Sequence, residues 1–190
     1  MRKKPGKPDP PDPRRASRPI LGSDEYPPAE VREALRPLRN RFSVALMSPG
    51  NAFAVGAVIR VSHSFLAREV VVVGPASWYA KAAMGMDKYE DVVCVPDSDA
   101  FLRHTEGKPV WAVEKDHARR SIHAVGAFPD DVVFVFGSER FGVQEEILQR
   151  ADDVVGIPIY GVNHSLPVAV AAGIVMVEWA RRKYAAGVTI

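Results

Sequence analysis

Two stretches of this chain carry the residue types of a binding site built from main chain: Phe134–Gly142, FVFGSERFG, and Ile157–Glu178, IPIYGVNHSLPVAVAAGIVMVE. In each, an apolar strand-like run stops at Gly or Pro. The second then passes through Asn163, His164 and Ser165 into a helix of small residues. Glycine has no Cβ and proline fixes a turn, so backbone N–H and C=O groups can reach a ligand at such places. The chemistry this suggests is recognition of a small polar molecule, with Glu139, Asn163, His164 and Ser165 as the polar side chains nearby. Each also has an ordinary role: Glu139 as a solvated loop carboxylate, Asn163 as a turn former, Ser165 as a helix N-cap. A dinucleotide site is the natural rival, but no Gly-x-Gly-x-x-Gly opens a helix after a first strand, and GSERFG is a weak match. There is no P-loop, no Gly-x-Ser-x-Gly elbow and no His-Glu-x-x-His pair. The five histidines are scattered, so no metal is expected.

The elements that must hold these loops alternate along the chain. Val31, Leu35 and Leu38 recur at helical spacing after Pro27-Pro28, with a break expected at Pro37. There follow SVALMS, AVGAVIRVSHSF, REVVVVG, a helix over Trp78–Met86, DVVCVP, a helix over Ser98–His104, PVWAVE and a segment over Ala118–Ala124. DVVFVFG, VQEEILQRA, DVVGIP and a helix over Val168–Tyr184 complete the series. Continuous valine-rich strands separated by helices predict an α/β fold, a mostly parallel sheet with helices on both faces. Ligands in such sheets lie beyond the carboxyl ends of the strands. Three turns fall there, Glu114-Lys115, Gly137-Ser138-Glu139 and Pro158–Gly161, and together they predict one pocket.

Composition bounds the rest. At 190 residues, 47% hydrophobic and 25% charged, the chain suits one globular domain with a sizeable core. The single cysteine, Cys94, excludes an intramolecular disulfide, and its apolar run predicts an inert buried thiol. The basic N-terminus is followed by prolines rather than by an apolar stretch, and no segment has the length of a membrane span, so a cytoplasmic protein is expected. Residues 1–20 carry seven basic side chains against Asp9 and Asp12, so this stretch is +5 and the remainder of a chain of net charge +2 is −3. Six prolines accompany the charge. The expectation is a disordered basic Pro-rich tail over 1–25, suited to phosphate contact or to solubility alone. A short N-terminal helix over 26–41 and one domain over 42–190 follow.

Three blocks then carry a resemblance in order: Gly56-Ala57-Val58-Ile59-Arg60 with Phe65, FVFGSERFGV, and IPIYGVNHSLPVAVAAGIVMVE. They resemble the Asn-x-Gly-x-x-x-Arg, Gly-x-Glu-x-x-Gly and Ile-Pro-Met-x-Gly…Ser-Leu-Asn-Val blocks of the SPOUT-superfamily RNA methyltransferases of the SpoU/TrmH type. The similarity covers roughly Phe42–Tyr184. It implies a C-terminal trefoil knot, S-adenosylmethionine bound bent within it, and a homodimer with active sites at the interface. The implied reaction is 2′-O-methylation of a ribose in tRNA or rRNA. Carried over by position, Val113, Gly137, Ile157 and Leu166 would line the cofactor cleft, with Gly161 and Ser165 in the same loop. Arg60, Asn163 and His164 would face RNA, and Arg60, Glu139 and Ser165 would be the catalytic set. Methyl transfer from a sulfonium to a hydroxyl depends mainly on alignment. Because a guanidinium stays charged in proteins, Arg60 suits a clamp on the neighbouring phosphate and a stabiliser of developing alkoxide better than a base. Glu139 would orient Arg60 through a charge-assisted hydrogen bond. Gly173 in the last helix would permit close packing. Two positions depart from the pattern: Ala54 and Pro167 stand where the family has Asn, and Asn51 is the nearest amide to the first. A non-catalytic RNA-binding dimer of the same fold and a nucleotide-dependent oxidoreductase are the other classes open to such a sequence.

Overall fold

The computed structural model describes residues 26–47, 49–75, 77–138 and 140–184. The tail over 1–25 and Glu139 therefore lie outside the described residues. Helix α1 (Pro28–Leu35) passes at Pro37 into a short 3-10 turn, Arg36–Leu38. Val31 is buried while Leu38 is exposed, because the turn breaks the helical stripe that would have carried both inward. Among the described residues seven strands follow: β1 (Phe42–Met47), β2 (Val70–Val73), β3 (Val92–Val95), β4 (Val110–Val113), β5 (Arg120–Ser121), β6 (Val132–Phe136) and β7 (Asp153–Gly156). The helices between and after them are α2 (Ala52–Ser64), α3 (Ala80–Ala83), α4 (Ser98–His104), α5 (Glu145–Arg150) and α6 (Val168–Tyr184). All strand pairs are parallel, in the order β3-β2-β1-β6-β4-β7-β5.

The period of two along β1 separates two cores. Phe42, Val44 and Leu46 join Phe134 and Phe136 beneath α2 and α6, whereas Ala45 and Met47 join Val133, Val135, Phe101 and Ile147 on the face of α4 and α5. Covering both faces is what makes the central strands apolar without alternation. Trp179 of α6 lies 4.6 Å, ring to ring, from Phe42 of β1. Removing so large a buried ring costs about 3–5 kcal/mol, so this contact is a principal anchor of α6.

The elements depart from expectation where conformations are local. The helix expected over Trp78–Met86 is interrupted: Met84 (φ 51°) and Gly85 (φ 81°) are both left-handed and end α3 before a 3-10 turn at Met86–Lys88. The segment Ala118–Ala124 holds the two-residue strand β5 and a 3-10 turn, too short to show any periodicity. Cys94 is exposed, contrary to expectation, because β3 is an edge strand with weaker cover than the central ones.

Helix α2 is held by a buried charge network. Glu90, with no side-chain exposure, accepts from Arg39 at 2.6 Å and meets His63 Nδ1 of α2 at 2.8 Å. Arg39 also donates to the carbonyls of Ala67 and Tyr89. Breaking one partner of such a pair strands a buried charge, at about 3–5 kcal/mol. Arg60 lies one turn before His63 on α2, so this network fixes the helix that carries it. Among the described residues no helix is long and apolar enough to cross a membrane.

Candidate functional site

Strands β6, β4 and β7 are neighbours, so the three turns at their carboxyl ends come together. They surround a cleft of about 400 Å3 lined by Val113, Gly137, Ile157, Ser165 and Leu166, five of the residues assigned above to cofactor contact. His164 also lines it. Gly161 does not line the cleft. A Cβ there would stand 2.7 Å from Asn163 Oδ1, so this glycine gives room for the Asn163 side chain, whose amide donates to the Ser165 carbonyl at 3.1 Å.

The β6–α5 loop is built from its own backbone. Ser138 N–H donates to the Gly142 carbonyl at 3.1 Å and Gly142 N–H donates back at 3.0 Å. The close approach leaves no space at Gly137: a Cβ would sit 2.0 Å from the Gly142 carbonyl carbon and 2.3 Å from Val143 N. Glu114, at the end of β4, ties two of the loops. Its carboxylate accepts from Val143 N–H at 3.2 Å and from Lys115 N–H at 2.8 Å. Sequence reasoning placed Glu114 only in a turn; its position immediately after a central parallel strand was the available signal. Beside it, the hydrogen bond from Lys115 holds the Asp116 carboxyl below the usual carboxylate range, with smaller help from His117 and His164.

Ser165 faces the cleft, and no side-chain bond from it caps α6 among the described residues. The Pro167 carbonyl takes that place, accepting from Val170 N–H at 2.9 Å and Ala171 N–H at 3.0 Å. Proline lacks only an N–H that a helix start does not need. Asn51 is the N-cap of α2; its Oδ1 accepts from Phe53 N–H at 3.0 Å and Ala54 N–H at 3.3 Å, so its oxygen is engaged in folding. Arg60 is exposed on α2 and is not among the residues lining the cleft. Gly173 faces α2, with Val61 3.9 Å from where a Cβ would stand.

A doubly covered parallel sheet whose three adjacent strand ends gather glycine loops around one cleft is an α/β domain for a small ligand. Residues 41–177 match the SpoU rRNA Methylase family, and the chain belongs to that family. It is 26% identical over 162 residues to the tRNA (guanosine(18)-2′-O)-methyltransferase of Thermus thermophilus, with 83% of each chain covered. It is 27% identical over 135 residues to the 23S rRNA (guanosine-2′-O-)-methyltransferase RlmB of Ralstonia nicotianae, covering 68% of this chain and 54% of that one. The structure of the SpoU methyltransferase AviRb from Streptomyces viridochromogenes in complex with AdoMet shares the fold, with a TM-score of 0.70 and 22% identity over 82% of this chain and 62% of that one.

Proposed function

We propose that this protein methylates the 2′-hydroxyl of a ribose in tRNA or rRNA with S-adenosylmethionine as donor, acting as a homodimer in the cytoplasm. The observation that carries the reading is the convergence of two of the three motif blocks, with the turn after β4, on one cleft in a chain of the SpoU family. The cleft suits the cofactor. Its volume falls in the range of small-molecule sites, and at Gly137 a closely approaching backbone replaces side chains. Val113, Gly137, Ile157 and Leu166 would hold the group, chiefly by main-chain contacts, with Ser165 beside them. S-adenosylmethionine supplies an electrophilic methyl carbon on a sulfonium; the protein has to align a ribose hydroxyl with it and help the proton leave.

Arg60 is the residue for the ribose. Because it does not line the cleft of its own chain, the reading places it at the cleft of a second copy, clamping phosphate and stabilising developing negative charge. Half-exposed Val170 and Val177, seven residues apart on α6, and the almost fully exposed Tyr160 and Val162 support an apolar contact between copies. Asn163 and His164 would meet RNA from the same loop. Glu139 would orient Arg60. A trefoil knot in the β6–β7–α6 portion belongs to the same reading, supported by family membership and by a sheet order that inserts β7 between β4 and β5.

The decisive experiment is incubation with labelled S-adenosylmethionine and total tRNA or rRNA, followed by mapping of 2′-O-methyl sites. Label confined to ribose 2′-oxygens is expected. Cofactor binding without transfer to any RNA would instead favour a non-catalytic RNA-binding dimer, the second reading that Ala54 and Pro167 in place of Asn bring into view.

A further inference from the structure

The cleft has two unlike sides. The inner one is glycine loop and main chain, whereas the rim projects side chains. Phe141 is 75% exposed at the rim, and the Arg140 guanidinium lies 5.0 Å from the centre of its ring. Lys115 and His117, both exposed, also line the cleft. An aromatic ring left in water forgoes the stabilisation that burial would give it. The backbone that carries this ring is nonetheless fixed. Phe141 N–H donates to Ser138 Oγ at 3.1 Å, the Ser138–Gly142 backbone pair closes the loop, and Gly142 takes the left-handed conformation (φ 65°) that the turn needs.

We propose that Phe141, with Arg140 against its ring, is the platform on which an unpaired base of the RNA substrate stacks, with Lys115 and His117 facing the phosphates alongside. Stacking on an exposed ring is open to every base, because each has a π-face, and a guanidinium beside the ring adds cation–π attraction. In an A-form duplex the ribose 2′-hydroxyls lie open along the minor groove, but the base faces are taken up by stacking, so only an unpaired base can offer a face to the ring. Enzymes that do chemistry on a base draw the nucleotide out of the stack or act on single strands, and a ring that takes one base face asks the same of its substrate. The platform therefore sets a preference for an unpaired or extruded nucleotide over a continuous duplex. It rests on the RNA-methylating function proposed above and names how that substrate is seated.

The full-length protein is tested with Phe141→Ala and Phe141→Trp, against a short single-stranded oligoribonucleotide containing 2-aminopurine and the same strand in a perfect duplex. Wild type is expected to quench the single strand's fluorescence and to bind it in preference to the duplex. Phe141→Ala weakens single-strand binding about 5- to 100-fold, and Phe141→Trp restores it. Cofactor affinity by calorimetry, dimer mass by light scattering and melting temperature stay unchanged in both. Equal oligonucleotide binding by wild type and Phe141→Ala, or none by wild type, overturns the platform. So does a matching loss of cofactor affinity, which would make the ring a cofactor wall, or dissociation of the dimer, which would make it a subunit contact. Methyl transfer to total tRNA and rRNA is measured in parallel. A wild type that binds and quenches the single strand yet methylates no RNA would sink the proposed reaction while leaving the platform standing.

Discussion

The loop after β6 and the loop after β7 border the same cleft but are made differently. The first is closed by a reciprocal pair of backbone hydrogen bonds and anchored by Glu114, with no space at Gly137 for even a methyl group. The second leaves Tyr160 and Val162 at 95% and 98% exposure and is held internally by the bond from Asn163 to the Ser165 carbonyl. The backbone of one loop is fixed by its own chain, though Phe141 on it stays exposed. The other presents exposed apolar surface that, in the function proposed above, a ligand or a second copy of the protein would complete.

The two loops differ most at their glycines, Gly137 and Gly161. Gly137→Ala drives a methyl group into backbone that cannot rotate away, and the expected result is a loss of cofactor affinity of about a hundredfold or more, with destabilisation of about 3 kcal/mol. Gly161→Ala meets only the movable Asn163 amide and is expected to cost about 1 kcal/mol or less. Calorimetric titration with S-adenosylmethionine and thermal melts of the two variants decide it. Equal losses would mean that the second loop is as rigidly built as the first.

Arg60→Ala asks whether the open loop's partner is another subunit. Removing a charge that stabilises the transition state slows transfer by about 10²–10³-fold, and cofactor affinity should remain normal because Arg60 does not line its own cleft. Coexpressing Arg60→Ala with Gly137→Ala should restore activity, since a mixed dimer holds one site with both an intact loop and an intact arginine. Arg60→Ala retaining most of its activity would remove the residue from the mechanism.

Much of this contrast was legible in the sequence, and what was not has a physical reason. Valine-rich runs named the central strands because both faces of the sheet are covered, and the span of α6 was readable from Val168 to Tyr184. Adjacent strand ends brought Val113, Gly137, Ile157 and Leu166 together around one cleft, as the family resemblance implies. The sequence could not show the break at Met84-Gly85, because a left-handed methionine has no compositional sign, nor β5, which is two residues long. The exposure of Cys94 depends on strand order, which no local pattern records. Glu114 was hidden for a similar reason: the amide it binds belongs to Val143, 29 residues away.

The far end of α6 is clamped to the turn after β5. Glu178 pairs with Arg182, Arg181 and His123, and Arg182 donates onward to the carbonyls of Val125, Ile122 and His123. Burial opposes ionisation of Glu178, but the hydrogen bonds from Arg182, Arg181 and His123 outweigh it and hold the carboxyl at about 2, below its ordinary 4.5. A depressed folded-state value stabilises the fold above the unfolded value, so this contribution is complete above about pH 4.5 and disappears as pH falls toward 2. Glu178→Gln should lower stability by about 1–2 kcal/mol at pH 7. The difference between wild type and variant should shrink across the pH 4.5 to 2 window. A gap that stays constant with pH would assign the clamp to packing.

The smallest effect is expected at Asn163. Its amide makes one bond within an exposed loop, so Asn163→Ala should move the melting free energy by about 0.5 kcal/mol or less. If this side chain faces RNA, the same variant loses one hydrogen bond to substrate, and RNA affinity falls about two- to tenfold while cofactor affinity holds. A stability loss comparable with that of Gly137→Ala would mean that Asn163 builds the loop from within, and the difference between a finished loop and an open one would disappear.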